Sequence, residues 1–273
     1  MKVLFIGDIV GSPGRAAVKS IVPKLRTQKG IDFVIANAEN AAGGSGITSR
    51  VARDLFQSGC DCLTSGDHVW RRQEIIELMQ NDKRVLKPAN FPKNTPGQGS
   101  GLIKNKNGQS IGVVCLLGQV FIDALVESPF HVVREEIAEL KKDTKVIIVD
   151  IHAEATSEKI ALGWFLDGEV SGVFGTHTHI QTADDKILPK GTAYITDVGM
   201  TGPYDSVIGR KKDKIIERFL TGMPTRFELG TEEIELHAVL VEIDETTGKA
   251  LKIERIREKL PGSVRDESGE QDA

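Results

Sequence analysis

Short apolar runs alternate with stretches of helical spacing along most of the chain. The runs are rich in Val, Ile and Leu and have the length expected of buried strands. They fall at 2–7, 31–38, 62–65, 111–117, 145–150, 170–174, 194–197, 237–243 and 251–256. Strands that alternate with helices and are followed by further strands predict an α/β fold. The pattern allows two stacked sheets with helices outside, or one mixed sheet flanked by helices.

Helices are predicted where apolar residues recur every three or four positions. Residues 15–25 and 71–79 show this spacing, and Thr48 is placed to cap a helix that runs to about Gln57. The Gly-Ser-Pro-Gly sequence at 11–14 is typical of a turn. No internal repeat or linker interrupts the pattern, so we expect a single domain over 1–260. The polar stretch 261–273 has no apolar anchor, and it is expected to be a disordered tail.

Composition narrows the class of protein. The 273 residues are 40% hydrophobic and 27% charged, with a net charge of −4 and no basic stripe. This argues against a protein that grips long nucleic acid by its phosphates. No apolar run is long enough to span a bilayer. The three cysteines contain no Cys-x-x-Cys pair, so we expect buried, reduced thiols and a cytoplasmic location.

Two histidines separated by one residue follow the apolar run 170–174. On an extended backbone, His177 and His179 would face the same side and could enter one cavity. Neutral imidazole is a common metal ligand, although a capping or exposed histidine pair is the commoner explanation of such a motif when it is taken alone.

Other predicted strands also end in groups that could bind a metal. Each group has a simpler explanation by itself, such as a turn, a helix cap or a satisfied core histidine. Five strand ends with ligands are much less expected by chance, and together they suit two divalent ions that share a carboxylate. The groups are Asp8, Glu39 with Asn40, Asp67 with His68, His152, and His177 with His179. His131 and His237 lack this context, and we assign them no role.

Six motifs carry a resemblance to a known family. They are 7–11 (GDIVG), 37–44 (NAENAAGG), 66–70 (GDHVW), 152–159 (HAEATSEK), 175–179 (GTHTH) and 197–203 (DVGMTGP). From residue 1 to about 256, the chain resembles the YmdB-like branch of the bacterial calcineurin-like metallophosphoesterases. The resemblance implies a four-layer αββα sandwich of two mixed sheets flanked by helices. It also implies a hydrolase that cleaves phosphodiesters, with 2',3'-cyclic nucleotides as favoured substrates, and a tendency to form homo-oligomers.

The resemblance also implies a dinuclear metal centre and a role for each ligand. The ions would be divalent or of mixed valence, with iron or manganese favoured and zinc as an alternative. A water bridging the ions would attack the ester, and His68 would act as general acid. One metal would be held by Asp8, Glu39, Asn40 and His179, and the other by Glu39, Asp67, His152 and His177.

Two positions depart from related patterns. Val10 stands where the wider superfamily has a histidine, which is usual within the YmdB-like branch. Asp67 stands where the family has asparagine, and its extra negative charge should tighten divalent binding and make the attacking water less acidic.

Two other interpretations remain. The Gly-rich sequences at 11–14 and 43–46 could cradle phosphate, but neither fits a dinucleotide-binding or Walker pattern. The chain could instead be a metal-bound regulatory or nucleotide-sensing protein with little hydrolytic activity.

Overall fold

The computed structural model describes residues 1–105 and 107–262 of the chain. The part of the expected tail at 263–273 therefore lies outside the described residues. The helices in the described part are α1 (Gly11–Lys29), α2 (Ser49–Gln57), α3 (Ile75–Asn81), α4 (Pro129–Leu140), α5 (Thr156–Phe165) and α6 (Lys212–Thr221). The strands are β1 (Lys2–Ile6), β2 (Asp8–Ile9), β3 (Phe33–Asn37), β4 (Cys62–Thr64), β5 (Ser100–Lys104), β6 (Ser110–Leu117), β7 (Ile147–His152), β8 (Gly172–Thr176), β9 (Lys186–Ile187), β10 (Ala193–Ile195), β11 (Met200–Pro203), β12 (Ile234–Ile243) and β13 (Ala250–Lys259).

The strands form two mixed sheets. In the first sheet, β1, β3 and β4 run parallel, while β12 pairs antiparallel with β1, β11 and β13. In the second sheet, β6, β7, β8 and β10 run parallel, with β5 and β9 as antiparallel strands at the two edges. The expectation of an α/β fold with two mixed sheets is confirmed.

Successive side chains of a strand point to opposite faces of the sheet, so they belong to different apolar clusters. Leu4 of β1 belongs to a cluster that includes α1 and α2, while Phe5 belongs to a cluster with residues from both sheets. The rings of Phe5 and Phe174 lie 5.3 Å apart between centroids, although their strands belong to different sheets. Val114 of β6 belongs to a third cluster, together with residues of α4 and α5. The apolar faces of the two sheets therefore meet in the cluster that contains Phe5 and Phe174.

Several element boundaries differ from expectation. The sequence 11–14 is not a separate turn, because α1 begins at Gly11. Pro13 is tolerated there because the first turn of a helix has no partner for its amide groups. Thr48 does cap α2, and it accepts a hydrogen bond from the amide of Val51 at 3.2 Å. The helix expected over 71–79 is a 3₁₀ turn at Val69–Arg71 followed by the shorter α3.

The three cysteines are buried and form no disulfide with one another, as expected. Burial raises the pKa of the Cys60 thiol to about 12. Among the helices of residues 1–105 and 107–262, none is both long enough and apolar enough to cross a membrane.

Candidate metal centre

Polar side chains lie together at the carboxyl ends of the parallel strands of the first sheet. Asp8 opens β2 directly after β1, Glu39 and Asn40 follow β3, and Asp67 and His68 follow β4. The carboxyl ends of β1, β3 and β4 lie side by side because the three strands are parallel. Asp8, Glu39 and Asn40 are buried, while Asp67 and His68 are partly exposed.

The second sheet contributes histidines from the carboxyl ends of its strands. His152 is the last residue of β7, and His177 and His179 follow the parallel strand β8. The two sets of strand ends meet, because His152 Nε2 lies 3.2 Å from Glu39 Oε2. The structure thus brings together all seven residues that the sequence marks as ligands.

Four of these side chains form a tight cluster. Glu39, Asp67, His152 and His177 each offer one ligand atom, and these atoms all lie within 4.8 Å of one another. His152 Nε2 is 3.3 Å from Asp67 Oδ1 and 3.0 Å from His177 Nδ1. This is the second of the two ligand groups implied by the sequence.

The remaining side chains lie beside that cluster. His179 Nε2 is 3.9 Å from Asp8 Oδ1 and 3.3 Å from Asn40 Nδ2. Asn40 Nδ2 also donates to Glu39 Oε1 at 2.9 Å, so Glu39 contacts both groups. Coordination through the oxygen of Asn40 would require its amide to turn, since the nitrogen faces Glu39 and His179.

The donor atoms suit a cation. Asp8 Oδ1 and Asp67 Oδ1 are buried, and neither forms a hydrogen bond with any described residue. An unsatisfied buried polar atom costs about 1–3 kcal/mol, and more when it is charged. One cation beside each of these oxygens would satisfy both. Oxygen and nitrogen donors without thiolate fit manganese, iron, zinc or cobalt.

Two histidines are oriented by hydrogen bonds on the far side of the ring. The hydroxyl of Thr176 donates its proton to Asp150 Oδ1 at 2.8 Å. The same hydroxyl oxygen can therefore only accept from His152, whose Nδ1 lies 2.9 Å away. The carbonyl oxygen of Ile208 accepts from Nδ1 of His179 at 3.2 Å. Both rings therefore turn Nε2 toward the carboxylates, and such partners fix ligand orientation in metal sites.

Burial and the charges of neighbouring side chains shift the pKa values at the cluster in opposite directions. Burial raises the pKa of Asp8 above its usual value, and the neighbouring His179 and His152 only partly offset the shift. Burial acts in the same direction on Glu39, but the charges of His152 and His68 and their hydrogen bonds together outweigh it and hold the pKa of Glu39 well below its usual range. Burial acts to lower the pKa of His152, but the charges and hydrogen bonds of Glu39, Asp67 and Asp8 together outweigh it and raise that pKa well above its usual value. A proton on His152 thus compensates the carboxylates, and metal binding would have to displace it.

Gly66 leaves room for this arrangement. A Cβ atom at this position would lie 2.2 Å from Glu39 Oε2 and 2.2 Å from His152 Cδ2. Real side chains do not approach so closely, so any larger residue must displace one of the two donors.

The expected reason for the shared orientation of His177 and His179 is wrong. Both lie beyond the end of β8 and have positive φ angles, 94° and 64°, so neither is on an extended strand. Such angles are unfavourable for residues with a Cβ atom and persist only where the surroundings enforce them. The amide of His177 donates to Asp8 Oδ2 at 3.0 Å, and the amide of Thr178 donates to Asp197 Oδ2 at 3.1 Å.

Sequence reasoning assigned no role to the residues that support the site. Asp197 also pairs with the buried Lys159 at 2.8 Å. Asp150 accepts hydrogen bonds from Asn37, Thr64 and Thr176, and burial raises its pKa to about 6. The available signal was a set of charged residues inside otherwise apolar strands or next to the ligand motifs.

His68 lies at the rim of the cluster. Its Nδ1 is 3.2 Å from Asn40 Oδ1 and 3.3 Å from Glu39 Oε1, and its side chain is 30% exposed. The hydrogen bond to Glu39 raises the pKa of His68 above its usual value, against the effect of burial. Nδ1 faces two acceptor oxygens, so Nε2 is the atom placed to give a proton to a bound molecule.

Comparisons with known proteins found similarity over nearly the whole chain. The model of a family described as YmdB-like protein matches residues 4–256. The chain is 52% identical over 256 residues to a 2',3'-cyclic-nucleotide 2'-phosphodiesterase of Bacillus subtilis (strain 168), with 94% of this chain and 96% of that protein covered.

Two solved structures have the same fold. A protein of Thermus thermophilus, described as hypothetical, superposes with a TM-score of 0.89 at 39% identity and covers 96% of this chain and 100% of its own. A phosphatase of Mycoplasma pneumoniae, described as novel, superposes with a TM-score of 0.88 at 38% identity, with coverage of 95% and 93%.

Proposed function

The chain belongs to the YmdB-like protein family, and from this premise we propose that it is a metal-dependent phosphodiesterase that opens 2',3'-cyclic nucleotides. One observation supports the proposal above all. Seven potential ligands from five strand ends of two sheets converge on one place, and two of their carboxylate oxygens lack hydrogen bonds to the described residues. Such a donor set fits a hydrolytic dinuclear centre.

We propose two ion positions that share Glu39. Glu39, Asp67, His152 and His177 would hold one ion, and their ligand atoms already cluster within 4.8 Å. Asp8, Glu39, Asn40 and His179 would hold the other. Iron or manganese is the choice that the family resemblance favours, with zinc as an alternative, and the carboxylate, amide and imidazole donors fit all three.

The chain's own residues define the rest of the reaction. When bound, the two cations would neutralise the anionic ester and lower the pKa of a water near it. His68 would donate a proton from Nε2 to the leaving oxygen of the ribose, since its Nδ1 is directed at Asn40 and Glu39. Glu39 would thereby orient the acid in addition to its role as a ligand, because the turn that lets Asn40 coordinate moves its oxygen away from His68.

We further propose that the bond to the 2'-oxygen breaks, which leaves a 3'-monophosphate. The name of the Bacillus subtilis relative specifies this bond, and that relative is 52% identical to the chain. A small diester also suits a chain of net charge −4, in which no basic stripe was found.

We propose the four-layer αββα arrangement for the fold as a whole, over a single domain of residues 1–260. It is supported by the three apolar clusters, of which one is shared by both sheets and two are shared by a sheet and its helices. A cytoplasmic location is supported by the three buried, reduced cysteines. Homo-oligomer formation rests on the family resemblance alone.

The test is a substrate panel with parallel metal loading. Metal-free protein is reconstituted with Mn²⁺, Fe²⁺ or Zn²⁺ and assayed with 2',3'-cyclic AMP or bis-p-nitrophenyl phosphate. The 2'- and 3'-monophosphates formed from the cyclic nucleotide are separated by chromatography. We expect hydrolysis that a chelator abolishes and the same metal restores. Binding of the nucleotide without turnover under every metal would support the sensing function instead.

A further inference from the structure

We infer that Glu154 is a positioning residue that holds His177 in the tautomer needed for metal binding. This inference rests on the metal centre of the proposed function. Glu154 Oε2 lies 3.1 Å from His177 Nε2, on the side of the ring that faces away from the other ligands.

The contact favours one of the two tautomers of His177. A carboxylate carries negative charge and only accepts hydrogen bonds, so its position 3.1 Å from Nε2 favours the tautomer with the proton on Nε2. Nδ1 then keeps its lone pair, and this atom lies 3.0 Å from His152 Nε2 and 3.6 Å from Asp67 Oδ1. The opposite tautomer would place a hydrogen atom where the ligand lone pair has to be.

The other two histidines also have one ring nitrogen held by an acceptor, which is Nδ1 in both of them. His152 is held through Thr176, and His179 is held through the backbone carbonyl of Ile208. Both of those partners are fixed parts of the fold: Thr176 is buried at the end of β8, and a carbonyl cannot be removed by substitution. His177 depends on a charged side chain.

Glu154 is also well placed to be replaced without disturbing the fold. It follows the end of β7 by two residues, and its side chain is 48% exposed. Its carboxylate contacts His177, whose own side chain is only 22% exposed. Loss of the carboxylate would leave the His177 ring free to rotate and to change tautomer.

The expected consequence concerns one ion position only. Partners of this kind typically change metal affinity by about 10- to 100-fold. The Glu154→Ala variant should therefore lose affinity at the position that uses His177, while the position that uses His179 keeps its affinity. Glu154→Gln should lose less, because the amide oxygen can still accept from Nε2.

Metal affinity and tautomer can both be measured without turnover. Metal-free protein is titrated with Zn²⁺ in competition with a chromophoric chelator, for the wild type, Glu154→Ala, Glu154→Gln and His177→Ala. Glu169→Gln serves as the control, because Glu169 is an exposed carboxylate that precedes β8 at the opposite edge of the second sheet. Long-range ¹⁵N–¹H spectra of the metal-free protein at pH 8 report the tautomer of each histidine.

We expect one of the two affinities to fall by about 10- to 100-fold in Glu154→Ala, with a partial loss in Glu154→Gln and none in the control. The spectra should show His177 protonated at Nε2 in the wild type and a mixture of tautomers in Glu154→Ala. Unchanged affinities, an equal fall at both positions, or protonation of wild-type His177 at Nδ1 would overturn the inference. A wild type that binds two ions but cleaves no diester would contradict the proposed function and leave the role of Glu154 intact.

Discussion

Lys159 and Asp197 form an ion pair of 2.8 Å in which both side chains are excluded from solvent. The carboxylate of Asp197 also accepts from the amide and the hydroxyl of Thr178, the residue between the two histidines of the site. A charge pair inside the core therefore fixes the loop that carries two of the proposed ligands.

Removal of one partner of this pair should destabilise the protein strongly. Lys159→Met leaves the carboxylate of Asp197 buried without a counter-charge, which typically costs about 3–5 kcal/mol. The double variant Lys159→Met/Asp197→Asn should be less destabilised than the sum of the single variants, because no unpaired charge remains. Urea unfolding of the four proteins measures the coupling. Strictly additive losses would show that the pair does not act as a unit.

The His68→Ala variant should retain its metal and lose turnover. A general acid typically contributes about 10²- to 10⁴-fold in rate, so kcat should fall within that range. His131→Ala is the matched control, since His131 is an exposed histidine of α4. The checks are elemental analysis and the rate of 2',3'-cyclic AMP hydrolysis. Loss of metal from the His68 variant would identify His68 as a ligand instead.

The Asp67→Asn variant should bind divalent ions more weakly than the wild type. The substitution removes one negative charge but keeps an oxygen at the position of the unpartnered Oδ1. With less negative charge nearby, the attacking water should ionise at a lower pH, which shifts the rising limb of the pH–rate profile to lower pH. Chelator competition and the profile test this, with Asp143→Asn as a control in the turn that precedes β7. Tighter binding by the variant would contradict the charge argument.

Substitution of Gly66 by alanine should damage the metal centre more than the fold. The new Cβ atom would overlap Glu39 Oε2 and His152 Cδ2, each at 2.2 Å, so at least one donor must move. We expect metal content and activity to fall steeply, while the far-UV circular dichroism remains that of the wild type. Gly101→Ala in β5 is the control, because the nearest atom to its Cβ would be 3.2 Å away. Full metal content in Gly66→Ala would rule out the predicted overlap.

Glu235 should make stability depend on pH in the acid range. Burial acts to raise its pKa, but hydrogen bonds from Arg257 and His237 outweigh burial and hold the pKa at about 2, below the ordinary 4.5. A carboxyl with a depressed pKa stabilises the fold fully above its unfolded value and loses that contribution as the pH falls toward its folded value. The difference in unfolding free energy between the wild type and Glu235→Gln should therefore shrink from pH 4.5 to about pH 2. Urea unfolding at several pH values checks this, and a constant difference would contradict it.

Periodicity was a good guide to the buried strands and a poor one to the exposed elements. The strands of the core were placed to within about three residues, because most of their side chains are buried and apolar. In contrast, α6 was not predicted, although its apolar residues recur at helical spacing; Ile216, Phe219 and Leu220 form an exposed apolar face on it. The edge strands β5 and β9 were missed because most of their residues are partly or fully exposed and form no apolar run.

The candidate site was easier to identify than to explain. Ligand types at strand ends marked the positions of His177 and His179, yet the backbone that orients them has positive φ angles that no residue pattern indicated. The supporting contacts of Glu154 and Asp197 depend on residues far apart in the chain, so local spacing could not reveal them.

The pairing of β1 with β12 has a consequence for how the protein is made. Lys2 lies opposite Glu242, and β12 covers the edge of β1 that β3 leaves open. At roughly 5–20 residues per second, a ribosome would finish β12 on the order of 10 to 50 seconds after β1. During that interval the nascent chain carries an uncovered apolar strand, which makes it a natural client for chaperones. Metal loading would then follow synthesis, because the sheet that carries Asp8 and Glu39 closes last.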